Sequence, residues 1–389
     1  LKPAFTVPPL LTRALWALAL WAGVVGLDLA QRSSPPPVAQ AVWPAGVPSL
    51  QGRVLRPVAR GHMPMPDGSA AAHASSLVAM PAGHPAALTA FWFAGDRESA
   101  PNVQVAASQY LRAEGQWTPA RYVVNRKVLS SQLGFGVRRL GNPVGWMDPS
   151  GRMHLFVVAT GLGGWAAGRI VHLRQTDAAN GFEAMEFVPE RVLPLSWLWN
   201  TSFLVRSAPL PLADGGMVLP VYFELGIKYP VALRFDAQGT LLGMVRISNQ
   251  PYRLQPTLLM QNSTDWLALT RDYRPHGKIG VARTTDGGQH WSDLPDLALD
   301  NPDASIAGMG LAPGQLVLSH NPTAEGRALL DLSGSVDGMH WTQWHAMERG
   351  APDEEYSYPA TAWADGALWV SYTDHRRSIA WQSYAAGAP

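Results

Sequence analysis

The stretch that most limits what this chain can fold into is Thr284-Thr285-Asp286-Gly287-Gly288-Gln289-His290-Trp291. Thr284 and Asp286 carry short polar side chains that bond nearby backbone amides and close a turn. Gly287 and Gly288 supply the positive φ that other residues resist. Trp291 returns the chain to a strand and brings a large ring to bury against it. The pattern recurs, degraded, as Ser335-Val336-Asp337-Gly338-Met339-His340-Trp341, one residue shorter between Asp and Trp. A turn that returns after about fifty residues asks for a repeat architecture.

The rest of the chain supports that expectation. Beyond about residue 50 there is no long helical period; short apolar, β-branched runs recur instead, at 88–93, 153–159, 217–223, 266–270, 315–319 and 367–372. Their spacing of about fifty residues suits one four-stranded sheet per unit, and radial repetition of such sheets is a propeller. The remaining length gives about six blades, so the expected fold is an all-β six-bladed propeller over residues 50–389. A pair of β-sandwiches or a β-helix is the alternative. The 37 Gly and 33 Pro, without a period of three, fit many strands joined by turns.

Residues 1–45 stand apart. Lys2 and Arg13 precede an apolar run, 14–27, and Pro35, Pro36 and Pro37 follow it. Basic flank, apolar run and small residues fit a signal peptide or an N-terminal membrane anchor with a Pro-rich linker. Ala39-Gln40-Ala41 offers small residues for a signal peptidase. A buried N-terminal helix is the plainer reading. The expected location is outside the cytoplasm: periplasmic, or anchored to the inner membrane of a bacterium. A net charge of +1 gives no electrostatic case for nucleic acid, and the absence of cysteine excludes disulfides, thiolate metal sites and a cysteine nucleophile. His73, His154, His276, His290, His320 and His345 lack metal-ligand spacing. Gly161-Leu162-Gly163-Gly164 lacks the Lys-Ser/Thr of a phosphate loop, so no cofactor is expected.

The first turn fits the Asp-box pattern, Ser/Thr-x-Asp-x-Gly-x-x-Trp, with Thr284, Asp286, Gly288 and Trp291; Ser335, Asp337, Gly338 and Trp341 form the second. Further stretches agree with the same family: 90–98 with its Arg97, Gly141-Asn142-Pro143-Val144, Leu219-Pro220-Val221-Tyr222, Leu269-Thr270-Arg271-Asp272, Glu355-Tyr356-Ser357-Tyr358-Pro359 and Tyr372-Thr373-Asp374-His375-Arg376. Over roughly residues 50–385 the chain resembles the sialidase (neuraminidase) superfamily with BNR or Asp-box repeats. The resemblance implies an exo-glycosidase acting on an acidic sugar, a sialic or related nonulosonic acid.

In that family a cage of arginines grips the substrate carboxylate, because a planar fork suits a carboxylate better than a point charge. The resemblance places Arg97 and Arg271 in the cage, puts His73 where its first arginine belongs, and leaves Arg327 or Arg376 as the third. It adds Asn142, Tyr222 and Asn321 as lining residues. Sialidases use a tyrosine nucleophile, an exception to the usual carboxylate pair. Tyr356 matches that tyrosine, Gln255 stands at its glutamate partner, and Glu224 is the nearest substitute. Asn102 stands at the acid/base aspartate, although an amide cannot donate the proton that general acid catalysis needs. Trp165, Trp197 and Trp199 offer either a sugar-stacking platform or core packing. Two other readings follow from these departures. One is a lyase or hydrolase of another acidic polysaccharide, with His73, Tyr222, Tyr356 and arginines around a uronate. The other is a non-catalytic carbohydrate-binding propeller. The partner in each case is a glycan and the chain is expected to be a monomer. Asp286 is expected to be structural, on the outer rim.

Overall fold

A computed structural model of the protein describes residues 9–32, 36–48, 50, 54–178 and 181–386. Lys2 and Pro35, which flank the apolar run, lie outside the described residues. Each apolar run read from the sequence becomes the second strand of an antiparallel sheet, four-stranded in four cases and five-stranded in the other two, where one strand position is split in two. These strands are Ala86–Gly95, Met153–Thr160, Met217–Phe223, Trp266–Asp272, Gln315–His320 and Ala367–Asp374. The sheets are the six blades of a propeller, numbered here in that order. Second strands are easy to see in sequence because both their faces are covered: every residue of Met153–Thr160 is buried. Outer strands are half in solvent, and Thr342–Arg349 shows no apolar run.

The innermost strands surround the axis. They are Ala71–Ala79, Arg139–Met147, Phe203–Val205 continued by Leu210–Pro211, Arg253–Met260, Ala307–Ala312 and Tyr356–Ala364. Apolar clusters fill the gaps between neighbouring blades. Phe91, Leu140 and Leu155 join the first and second blades, while Leu332, Trp363 and Val370 join the fifth and sixth. The ring is closed by pairing distant in sequence. Leu55–His62 is the outermost strand of the sixth blade and runs antiparallel to Ser378–Ala386.

Both Asp-box turns connect the third and fourth strands of their blades, at the end of the ring opposite the one where the inner strands begin. The Gly288 amide donates to Thr284 Oγ1 at 3.1 Å, and the His290 amide donates to Asp286 Oδ1 at 3.0 Å. In the second turn the Gly338 and His340 amides donate to Ser335 Oγ and Asp337 Oδ1, both at 2.8 Å. A Cβ on Gly338 would lie 2.1 Å from Leu267 Cδ1, so the turn is pressed onto the preceding blade. Trp341 Nε1 donates to the Gly338 carbonyl at 2.9 Å.

One short helix, Arg126–Leu133, interrupts the strands between the first and second blades. Asn125 caps it and Gly134 ends it with φ 70°. At the N-terminus, Pro9–Arg32 is a helix exposed over most of its length, with Val24 and Val25 partly buried and its end lying against Leu241–Arg246. The segment after it is more than a linker. Ala39 and Ala41 are buried, and their amides donate to the Gly287 and Ser263 carbonyls at 3.3 and 2.7 Å. Ala39-Gln40-Ala41 is thus held against the propeller.

Candidate active site

At the end of the ring where the inner strands begin, each blade contributes a residue with left-handed backbone. These are Ala74, Asn142, Ser202, Gln255, Asp303 and Tyr358, with φ between 45° and 71°. In the first, second, fourth and sixth blades the residue sits at a break in strand register. A bulge re-aims the side chain out of the regular alternation, and strained backbone of this kind gathers at functional sites. Three of the six precede proline: Asn142-Pro143, Gln255-Pro256 and Tyr358-Pro359. Proline is admitted to a buried strand where the ladder is already interrupted.

Tyr358 is the centre of the cluster. Arg271 Nη1 lies 3.3 Å from its hydroxyl and 3.1 Å from Gln255 Oε1, while Arg271 Nε donates to Asp303 Oδ1 at 2.6 Å. The guanidiniums of Arg206 and Arg327 lie 5.1 and 5.9 Å from the Tyr358 ring centroid, and the His73 ring lies 4.2 Å from it. Burial alone would raise the phenol's pKa. The charges of Arg271 and Arg327, with the Gln255 amide beside it, outweigh burial and hold it below its ordinary value of 10.0. Arg271 itself is pushed further toward the charged form: burial opposes this, but Tyr358 and Asp303 prevail.

The tyrosine matched from sequence lies elsewhere. Tyr356 Oη is 3.5 Å from Glu354 Oε2 and its ring packs on His375 at 5.0 Å. Burial and the negative charges of Glu354, Glu348 and Asp374 push it up to about 12. The bulge between Ser357 and Ala360 separates the two phenols, so Tyr358 takes the axial position and Tyr356 does not.

The arginines divide in the same way. Arg271 and Arg327 reach the axis. Arg97 is exposed at the rim of the first blade, in a shallow depression with Glu98 and Arg376. Arg376 is bound to Glu98 and to Glu355, the latter at 2.7 Å, and Arg327 Nη1 meets the same Glu355 at 3.1 Å. Burial pushes the Glu355 carboxyl up. Hydrogen bonds from Arg376 and Ser357, with the charges of Arg376 and Arg327, overcome that and bring it down to about 2. Arg206, which the sequence gave no reason to single out, is buried beneath Tyr358. It donates to the carbonyls of Ser75, Tyr358 and Pro359 at 3.1, 2.6 and 2.8 Å.

Of the remaining candidates, Gln255 Nε2 donates to Tyr222 Oη at 3.3 Å, so both belong to the cluster. Asn142 is buried at its bulge. Glu224, half-buried at the end of its strand, is raised by burial; Lys228 and Arg271 counter this only in part, and Asp303 adds to it. His73 is buried, and burial with the charge of Arg376 keeps it neutral. Asn102 is exposed, with its side-chain oxygen 3.4 Å from the Asp96 amide, so it braces its own loop. Asn321 spends its amide on the Leu329 and Tyr356 carbonyls, at 2.6 and 2.8 Å. Trp165 is partly buried over Gly141, but Trp197 and Trp199 stand in solvent rather than in the core. Tyr358, Asp303, Glu355 and Arg206 were not selected from sequence. For Tyr358 a signal existed, the Tyr-Pro pair parallel to Asn142-Pro143 and Gln255-Pro256. Glu355 opens the same stretch, while Arg206 and Asp303 carry no motif.

The BNR repeat-like domain family matches residues 86–370. No curated protein matches the sequence. Among solved structures, the Hadza microbial sialidase Hz136 superposes with a TM-score of 0.65 at 16% identity, over 82% of this chain and 66% of its own. The Trypanosoma rangeli sialidase, solved with 2,3-difluorosialic acid as a covalent intermediate, gives 0.64 at 13% identity over 85% and 59%. A Dyadobacter fermentans protein of unknown function gives 0.64 at 13% identity over 85% and 99%. The chain spans less than two thirds of the two sialidases but nearly all of the third protein. At these identities the likeness is one of fold.

Proposed function

The chain belongs to the BNR repeat-like domain family, and from that premise we propose that its axial site is a glycosidase centre of the sialidase type, with Tyr358 as nucleophile and an acidic sugar as substrate. The observation that carries the reading is the Tyr358 hydroxyl beside Arg271, its ionisation favoured although the ring is enclosed. A phenol near its ordinary pKa is a poor nucleophile at neutral pH, and nearby cations are one way to activate it. Gln255 cannot serve as a base, so the two guanidiniums take over the activation. Arg271 and Arg327 also grip the substrate carboxylate.

Tyr358 gives its proton to solvent; its phenolate oxygen then bonds to the anomeric carbon as the glycosidic C–O bond breaks, and the bonding pair leaves with the aglycone oxygen. Glu224, whose carboxyl is raised above its ordinary value by burial, supplies the proton to that oxygen. Water then attacks the anomeric carbon, releases the Tyr358 oxygen and returns a proton to Glu224. Asn102 contributes no proton. The carbohydrate-binding reading is favoured by one observation, the turning of Asn102 into its own loop.

The test uses fluorogenic aryl sialosides and related nonulosonic-acid glycosides, with a 2,3-difluoro analogue as trap. The expected result is release of fluorophore and an added sugar mass on the intact protein, both absent in Tyr358→Phe. Calorimetric binding of the free acidic sugar without release or trapping would replace the glycosidase reading with the binding one. Neither binding nor release over the panel would defeat both.

A further inference from the structure

We propose that the face of the ring carrying the site, over the second, third and fourth blades, docks on the surface of the bilayer that receives the N-terminal helix. The helix offers an apolar stretch, Pro9–Ala30, that holds an 18-residue window of mean hydropathy 1.7 with no buried residue in it. About twenty residues suffice to cross a hydrocarbon core. Near the end of the stretch stands Asp28, buried on the propeller side. Its carboxylate accepts from Ser196 Oγ at 2.9 Å, the Trp197 amide at 3.2 Å and the Leu198 amide at 3.4 Å. The helix end and the Ser196–Trp199 turn are therefore fixed at one level. If the helix crosses the membrane, that level is the membrane–water interface.

The side chains at that level suit it. Outside the helix, the tryptophans and tyrosines more than a third exposed among the described residues are Trp197, Trp199, Tyr252 and Tyr273. All four lie at the end of the ring where the inner strands begin, together with Leu162 and Ile227, 76% and 66% exposed. The loops that carry them form one surface. Ser202 Oγ donates to the Ala166 carbonyl, the Glu224 amide to the Ser202 carbonyl at 2.9 Å, and the Tyr273 amide to the Tyr252 carbonyl at 3.0 Å. Lys228 Nζ sits 4.5 Å from the Tyr273 ring centroid, a cation beside an aromatic face. Exposed Trp and Tyr with apolar neighbours and a lysine make up the belt that membrane proteins place at the headgroup level. A water-facing surface has no use for such a set. Once docked, the mouth of the ring opens along the bilayer surface, toward glycans borne on the membrane. The docking stands independently of any reaction at Tyr358.

The chain has no cysteine, so a single introduced thiol reports one position. Full-length Ile227→Cys, and Val336→Cys on the opposite end of the ring, are labelled with a nitroxide and placed in phospholipid nanodiscs at one chain per disc. Val336 is 75% exposed, so neither substitution touches the core. At 227 the label is expected to be several-fold more accessible to lipid-soluble oxygen, and several-fold less accessible to an aqueous nickel chelate, than at 336. Equal aqueous access at the two positions would overturn the proposal. So would spin–spin broadening at 227 in discs holding two chains, combined with full aqueous access in discs holding one, because the face would then cover a second copy of this chain.

Discussion

In Tyr356-Ser357-Tyr358-Pro359 the two phenols are separated by one residue, and a regular strand would turn both to the same face. The left-handed backbone of Tyr358, φ 53°, breaks that parity and sends the second ring to the axis. Tyr358→Phe is expected to abolish covalent trapping and to cut aryl-glycoside release by at least about a thousandfold, while Tyr356→Phe changes release by less than about tenfold. Intact-mass and initial-rate measurements on both variants decide it; the reverse order would return the nucleophile to Tyr356. Glu355 makes a second prediction. Its folded pKa is about 2 against an ordinary 4.5, so the unfolded chain takes up its proton at higher pH. The stability it confers is complete above pH 4.5 and is lost as pH falls through about 2. Glu355→Gln leaves Arg327 and Arg376 without their shared carboxylate and should cost about 2–3 kcal/mol at neutral pH. The difference from the native protein should shrink between pH 5 and pH 2 in denaturant titrations. A constant difference would mean that charge is not the cause.

The turn that first betrays the architecture belongs to the element scale. Asp286 and Asp337 bind amides of their own turns, far from Tyr358, at the opposite end of the ring. Asp286→Ala is expected to lower stability by about 1–2 kcal/mol through lost side-chain hydrogen bonds. The affinity of the surviving folded protein for acidic sugar should not change, as thermal melts and sugar titrations on one preparation would show. Gly338 is a stricter position, because a Cβ there adds strain at φ 76° to a clash with Leu267. The outer strands were hard to place from sequence for the same reason that the second strands were easy: one face in water breaks up the apolar run.

At the scale of the whole molecule, Leu55–His62 fastens the ring by pairing with Ser378–Ala386. Leu55 lies in the cluster that joins the fifth and sixth blades, with Trp363 and Tyr384. A chain lacking residues 1–62 would expose the edge of Ser378–Ala386 and open that cluster to water. It is expected to aggregate or to melt well below the native protein, as gel filtration and calorimetry would show. A monomer of native stability would mean that the other blades hold the ring alone.

The sequence by itself determined the repeat, the six second strands, the turn residues and the apolar N-terminal stretch. These depend on near neighbours: alternation, glycine at positive φ, and uninterrupted burial all leave a local record. It also pointed to Arg271, Gln255 and Tyr222 as site residues, through strand motifs. Only the tertiary structure brought Arg206 from the third blade and Asp303 from the link before the fifth to the same axis as Tyr358. It set Tyr358 toward the axis and Tyr356 away from it by placing a bulge, and it left Arg97 exposed beside Glu98 and Arg376. Side chains that converge from six blades are related by ring closure and not by spacing along the chain, so no local pattern records their meeting.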